Sequence, residues 1–228
     1  MDIVEESNKT LIRLENNDPE MTAVSVINRD HSPRHNIKSN GCFWLHDGAD
    51  LSRLGNAIGH NTHLESISLH KSSEWTRDSR PLFEGIQQNT TMIYLWLEGG
   101  IGNEISSMNI RNLSDMICIY RCDLRGGVAG ALVPCIKKCH KLKQIEILNC
   151  DIDDDSLNDI ASGVRGLSSL QTLFLWRRRS SDSIGIEGSE ALASVLKDPN
   201  CNLTNLQLLL TGFNDESTTK IVSSFFVR

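Results

Sequence analysis

The sequence predicts an α/β solenoid: a curved stack of strand–helix units, with parallel strands inside the curve and helices outside. Three observations predict it. The stretch LKQIEILNCDI puts Leu142, Ile145, Ile147, Cys150 and Ile152 on the spacing L-x-x-L-x-L-x-x-N/C-x-L. Twenty-eight residues earlier Ile117, Ile119, Cys122 and Leu124 repeat its second half, and 28 residues later Leu170, Leu173 and Leu175 repeat its first half. Segments with helical spacing follow most of these apolar runs. A fixed period near 28 means stacked units, each contacting its neighbours, rather than a globule around one central site.

Six strands are marked by the same frame, beginning at Leu64 (LESISL), Met92 (MIYLWL), Ser114 (SDMICI), Leu142 (LKQIEI), Leu170 (LQTLFL) and Leu203 (LTNLQL), at intervals of 28, 22, 28, 28 and 33 residues. A weaker unit at Met21 (MTAVSV) places Met21, Val24 and Val26 in that frame. Its 43-residue connection to Leu64 contains HSPRHNIKSNG, which reads as an irregular loop, with room for an extra strand near Phe43 to Leu45. About seven strand units are therefore expected between residues 21 and 228, in one domain covering 1–228.

Helices are expected where apolar residues recur every three or four positions. Leu51, Leu54 and Ile58 form one such face, and Val128, Leu132 and Ile136 another, in which Pro134 should bend or shorten the helix. Leu157, Ile160 and Val164 follow Asp153 to Asp155, carboxylates suited to a helix N-terminus. Ala191, Leu192, Val195 and Leu196 follow Ser189 and stop before Pro199, and Ile221, Val222 and Phe225 follow Asn214 and Asp215. The 22-residue unit from Met92 is too short for a full helix. Residues 1–16 read as an N-terminal cap helix over the first strand, ended by NNDP. At the other end the last strand is expected to leave one edge open, which suits self-association through the C-terminal edge or continuation in a longer array.

One strand and one helix per unit force curvature, because strands stack about 4.8 Å apart whereas helices need about 10 Å. With LKQIEILNCDIDDDSLNDIA and LTNLQLLLTGFNDESTTKIV carrying the likeness, the chain resembles the ribonuclease-inhibitor-like class of leucine-rich repeats, from about Met21 onward. That resemblance implies a right-handed horseshoe with its parallel strands on the concave face. LIRLENNDPEMTAVSV and LSRLGNAIGHNTHLESISL also resemble repeat proteins of single-celled algae, which implies no biochemical activity. The short third interval and the segment WRRRSSDSIGIEG depart from the repeat pattern.

Composition narrows the function. A net charge of −6 disfavours nucleic acid, whose phosphates need clustered Lys and Arg. The acidic start MDIVEESNKT has no apolar signal core, and no run approaches a membrane span, so the cytoplasm is the default, with the nucleus as alternative. Seven cysteines without a secretory context read as reduced thiols.

Catalytic and metal chemistry find little support, and no catalytic, cofactor or metal residue is assigned. There is no G-x-S-x-G, P-loop or H-E-x-x-H. Cys118, Cys122, Cys135, Cys139, His140 and Cys150 offer zinc-type spacing, but Cys118 belongs to the strand face and Cys135 and Cys139 to the outer helix. Cys122 and Cys150 fit the repeat position whose side chain bonds to neighbouring turn backbone. His60, His63 and His70 read as solvated loop or surface residues. The acidic run Asp151 to Asp155 lacks the glycine and glutamate of a calcium loop and reads as helix capping.

The concave positions are the informative ones. Alternation turns Tyr94, Trp96 and Glu98 outward when Leu95 and Leu97 face the core, and the same phase exposes Met116, Cys118 and Tyr120, then Gln144, Glu146 and Leu148, then Thr172, Phe174 and Trp176, then Asn205, Gln207 and Leu209. Stacking aligns one row as Trp96, Cys118, Glu146, Phe174, Gln207 and another as Glu98, Tyr120, Leu148, Trp176, Leu209. Arg177, Arg178 and Arg179 should form a rim on the loop above Trp176. Tyr, Trp and Arg are enriched at binding hot spots. The expected partner-binding set is therefore Tyr94, Trp96, Glu98, Tyr120, Glu146, Leu148, Phe174, Trp176, Arg177 and Arg178, on a non-catalytic module for a protein partner. The rivals are a diverged fragment of a longer array with no dedicated partner, and an enzyme whose site has no recognisable motif.

Overall fold

The computed structural model describes residues 2–28, 39–45, 49–70, 79–99, 110–111, 113–177, 184–209 and 215–225. Among them eight strands form one parallel sheet: β1 (Ala23–Asn28), β2 (Gly41–Leu45), β3 (Ser66–His70), β4 (Tyr94–Glu98), β5 (Met116–Tyr120), β6 (Gln144–Cys150), β7 (Thr172–Arg177) and β8 (Asn205–Leu209). The described helices are α1 (Ile3–Glu15), α2 (Leu51–His60), α3 (Arg80–Gln88), α4 (Val128–Lys138), α5 (Asp154–Val164), α6 (Ile186–Leu196) and α7 (Asp215–Phe225). The sheet order is β2-β1-β3-β4-β5-β6-β7-β8, so from β3 onward each unit simply stacks on the one before. This is an α/β leucine-rich-repeat solenoid.

The leucine frame becomes two straight rows. Leu95, Ile117, Ile145, Leu173 and Leu206 lie level across β4 to β8, as do Leu97, Ile119, Ile147, Leu175 and Leu208. In β3 to β7 these rows are at most 1% exposed. They are covered by the helices, which pack side by side: α2 on α3, and farther along α4 on α5, α5 on α6 and α6 on α7. Fully burying such a side chain contributes roughly 1.5–3 kcal/mol, so the stack is held by many equal increments.

The turns repeat as well. Asn61 and Asn89 are buried 28 residues apart, each accepting two backbone N–H bonds on Oδ1, from His63 and Leu64 and from Thr91 and Met92. Each reaches back to the preceding unit: Asn61 Nδ2 donates to the Leu14 carbonyl, and Asn89 Nδ2 to those of Ile58 and Asn61. Past the strands Cys122 Sγ donates to the Gly99 carbonyl at 2.9 Å and Cys150 Sγ to that of Ile119 at 3.5 Å, as the repeat reading expects. Gly99, Arg121 and Asn149 adopt left-handed φ of 84°, 54° and 56° at equivalent places after β4, β5 and within β6.

Gly41–Leu45 is the extra strand for which the connection had room; it pairs in parallel on the outer side of β1, so the described sheet has eight strands rather than about seven. The cap helix α1 consequently lies against β2, now the sheet edge, and not against β1: Thr10 Oγ1 donates to the Cys42 carbonyl and the Trp44 N–H to Ser7 Oγ. Helix α3, RPLFEGIQQ, was not anticipated, because its apolar residues are few and Gly85 interrupts them. Gly85 is nevertheless required, since a Cβ there would stand 1.9 Å from the Gly55 carbonyl oxygen of α2. Pro134 does not shorten α4, which runs through it from Val128 to Lys138, and it sits on the exposed side of the helix. Asp153 caps α5 through the Ser156 N–H at 2.8 Å, as the acidic run suggested. The link NEISSMNI after β4 falls largely outside the described residues.

Candidate interaction surface

The outward-facing strand residues form the two rows expected. Cα pairing runs Trp96, Cys118, Glu146, Phe174, Gln207 and, toward the strand ends, Glu98, Tyr120, Leu148, Trp176, Leu209. Register within a parallel stack is fixed by the buried leucine rows, so the opposite face has no choice of alignment.

Exposure along these rows is graded. In β1 and β3 the outward positions Ser25, Ile27, Ser68 and His70 are all buried. In β4 and β5 Tyr94, Trp96 and Met116 are half-buried, while Glu98, Cys118 and Tyr120 are buried. Glu146, Leu148 and Phe174 are half-buried, Trp176 is 44% exposed and Leu209 57% exposed. The accessible part of the face is therefore β6 to β8, and sequence alternation, which assigns a side but not a depth, could not show this.

The buried part is occupied with its own contacts. His70 Nδ1 and Glu98 Oε2 are 2.8 Å apart, with both side chains at most 2% exposed. His70 is therefore no surface residue, and Glu98 is committed to it rather than presented to solvent. Their strands are adjacent and level, which is what brings a histidine and a glutamate 28 residues apart into contact. The rings of Trp96 and Tyr120 lie 5.6 Å apart at 43°, and the Arg121 guanidinium stands 5.0 Å over Tyr120.

Between these rows and β6, burial and then the neighbouring Cys118 and Glu146 push the Tyr94 hydroxyl above its ordinary range. Burial and then Glu146 likewise push the Cys118 thiol up. Gln144 Nε2 donates to Glu146 Oε1 at 2.6 Å. A thiol held in its neutral form is a poor nucleophile.

Arg177 is not part of a rim. It is the last residue of β7, level with Cys150, 2% exposed and directed to the core side of the sheet. The strand continues extended where β4, β5 and β6 turn left-handed, and that carries Arg177 inward. Arg178 and Arg179 lie outside the described residues.

The cysteines sit at separate levels. Cys118 faces the concave side, Cys122 and Cys150 hold turns, and Cys135 of α4 and Cys139, the residue that caps its C-terminus, lie 3.9 and 3.5 Å from the Ile110 carbonyl oxygen. The hydrogen bond with Cys139, and then burial, push the Cys135 thiol up. Among the described residues no helix is long and apolar enough to cross a membrane.

No family model matches the chain, and no curated protein matches it. Among solved structures it is similar to leiomodin-1 actin-binding site 2, with a TM-score of 0.39 and 16% identity over 96% of this chain and 87% of that one. It is also similar to the tropomodulin C-terminal domain of Caenorhabditis elegans, with a TM-score of 0.41 and 9% identity over 99% and 92%. Likenesses of this size assign no partner, and the fold rests on the strand order and register described above.

Proposed function

We propose that this chain is a non-catalytic protein-interaction module of the ribonuclease-inhibitor-like repeat class, working in the cytoplasm or nucleus, that takes a protein partner on the β6–β8 part of its strand face. The observation that carries this reading is the row Leu148, Trp176, Leu209. Three apolar side chains stand on adjacent strands, and their exposure rises to 44% at Trp176 and 57% at Leu209. Covering Trp176 and Leu209 would contribute roughly 1–2 kcal/mol each, and tryptophan is a frequent anchor of binding energy. Phe174 and Glu146 flank the row at half-buried positions, and no outward-facing position described in β4 to β8 carries a cation, which favours protein over nucleic acid. Of the residues expected to bind, Trp176, Leu148, Phe174 and Glu146 remain in the proposal. Tyr120 lies level with Leu148 on the neighbouring strand, while Tyr94, Trp96 and Glu98 stand one strand farther away and leave the proposal.

Affinity capture from the native cell type tests this, with Trp176→Ala beside the wild type and the α1 surface variant Ile12→Ala as control. Trp176→Ala should weaken each captured partner about tenfold or more, as loss of a central tryptophan does, while Ile12→Ala leaves binding intact. Equal affinity of wild type and Trp176→Ala for every partner would sink the proposal. Trp96→Ala is the less clean probe, because it also removes packing on Tyr120.

A further inference from the structure

β8 is the outer strand of the described sheet, and β7 is its one strand neighbour there. Its core-directed side chains Leu206 and Leu208 are only half-buried, whereas the same rows in β3 to β7 are at most 1% exposed. The strand reads NLQLL and contains neither a charge nor a proline, two of the devices that keep an edge strand from pairing. We propose that a second copy of this chain pairs at this edge, β8 against β8 in antiparallel register, about a two-fold axis through Gln207.

The sequence of β8 is complementary to itself under that axis. In the register that pairs all five residues, Gln207 meets Gln207, Leu206 meets Leu208, and Asn205 meets Leu209 of the second copy. Directly opposed residues of an antiparallel pair share a face. The four core-side leucines therefore close over one another, and the amides meet on the concave side. The Gln207 amide carries both donor and acceptor and can bond its own copy, whereas a charge at 207, the one position that meets itself, would face a like charge. A two-fold normal to the sheet keeps both helix layers on one side and makes the two concave faces continuous.

The opposite edge limits assembly to two copies. There α1 lies on β2, with Thr10 Oγ1 on the Cys42 carbonyl and Ser7 Oγ on the Trp44 N–H. A solenoid closed at one edge and self-complementary at the other gives an isologous dimer and not a filament.

The test is the mass of the full chain in solution by light scattering or sedimentation. The wild type should run at twice the 25.4 kDa chain mass. Gln207 is exposed, so Gln207→Lys and Gln207→Glu should each keep the fold, checked by circular dichroism, and each alone should run as a monomer through like-charge contact across the axis. Mixing the two variants should restore the dimer, since lysine then faces glutamate. A wild type that is monomeric at the highest concentration reached, or a Gln207→Lys dimer as tight as the wild type, overturns the proposal. Trp176→Ala should remain dimeric, which separates this inference from partner binding on the concave face.

Discussion

Cys118 illustrates how a single position joins the packing of the stack to its chemistry. It faces outward by strand phase, yet it is buried between Trp96 and Glu146, and burial holds its thiol in the protonated form well above the ordinary range. Because the folded chain keeps this proton where the unfolded chain loses it, stability is full at neutral pH and falls as pH rises past about 8.5, the ordinary thiol value. Tyr94, shifted in the same direction, adds to the loss above about pH 10. Urea titrations between about pH 7 and pH 10 should show this decline, with a slope of up to about 1.4 kcal/mol per pH unit for each group. Cys118→Ala should remove one group's share; a slope unchanged by that substitution would rule out the assignment. At this scale the sequence tells side but not depth: spacing places Tyr94 and Glu98 on a strand and Arg177 on the loop after one, while the burial of all three depends on what lies over them.

Helices α2 and α3 show the same division for whole elements. The helical face Leu51, Leu54, Ile58 was readable from spacing, but α3 was not, because RPLFEGIQQ is short and carries a glycine within it. That glycine serves the packing. Gly55 and Gly85 let the two backbones approach so closely that a Cβ on Gly55 would stand 2.0 Å from the Pro81 carbonyl oxygen. Gly85→Ala, favourable by helix propensity alone, should instead destabilise the protein by about 3 kcal/mol, the upper range of overpacking. Thermal or urea denaturation measures the sign directly, and a stabilised Gly85→Ala would show that the helices separate without cost.

For the whole molecule, stability should be graded, because each unit is held by its neighbours. β5 and β6 have a strand on both sides, whereas β8 has one described neighbour and half-buried leucines. In the Gln207→Lys variant, hydrogen exchange at Leu206 to Leu209 should run at least about tenfold faster than at Ile145 to Ile147, as expected of the least supported unit. Equal protection would mean that β8 is covered by contacts other than a second copy. The sequence by itself determined the repeat, its strand phase and the two rows on the concave face. A period near 28 with alternating leucines admits one register, and a slip of one residue would expose every leucine. Only the tertiary structure decided where that face is open, that His70 and Glu98 are a buried pair, that Arg177 turns inward, and that β2 and α1 lie beyond β1 at one edge of the sheet. These follow from contacts between segments distant along the chain, which periodicity does not encode.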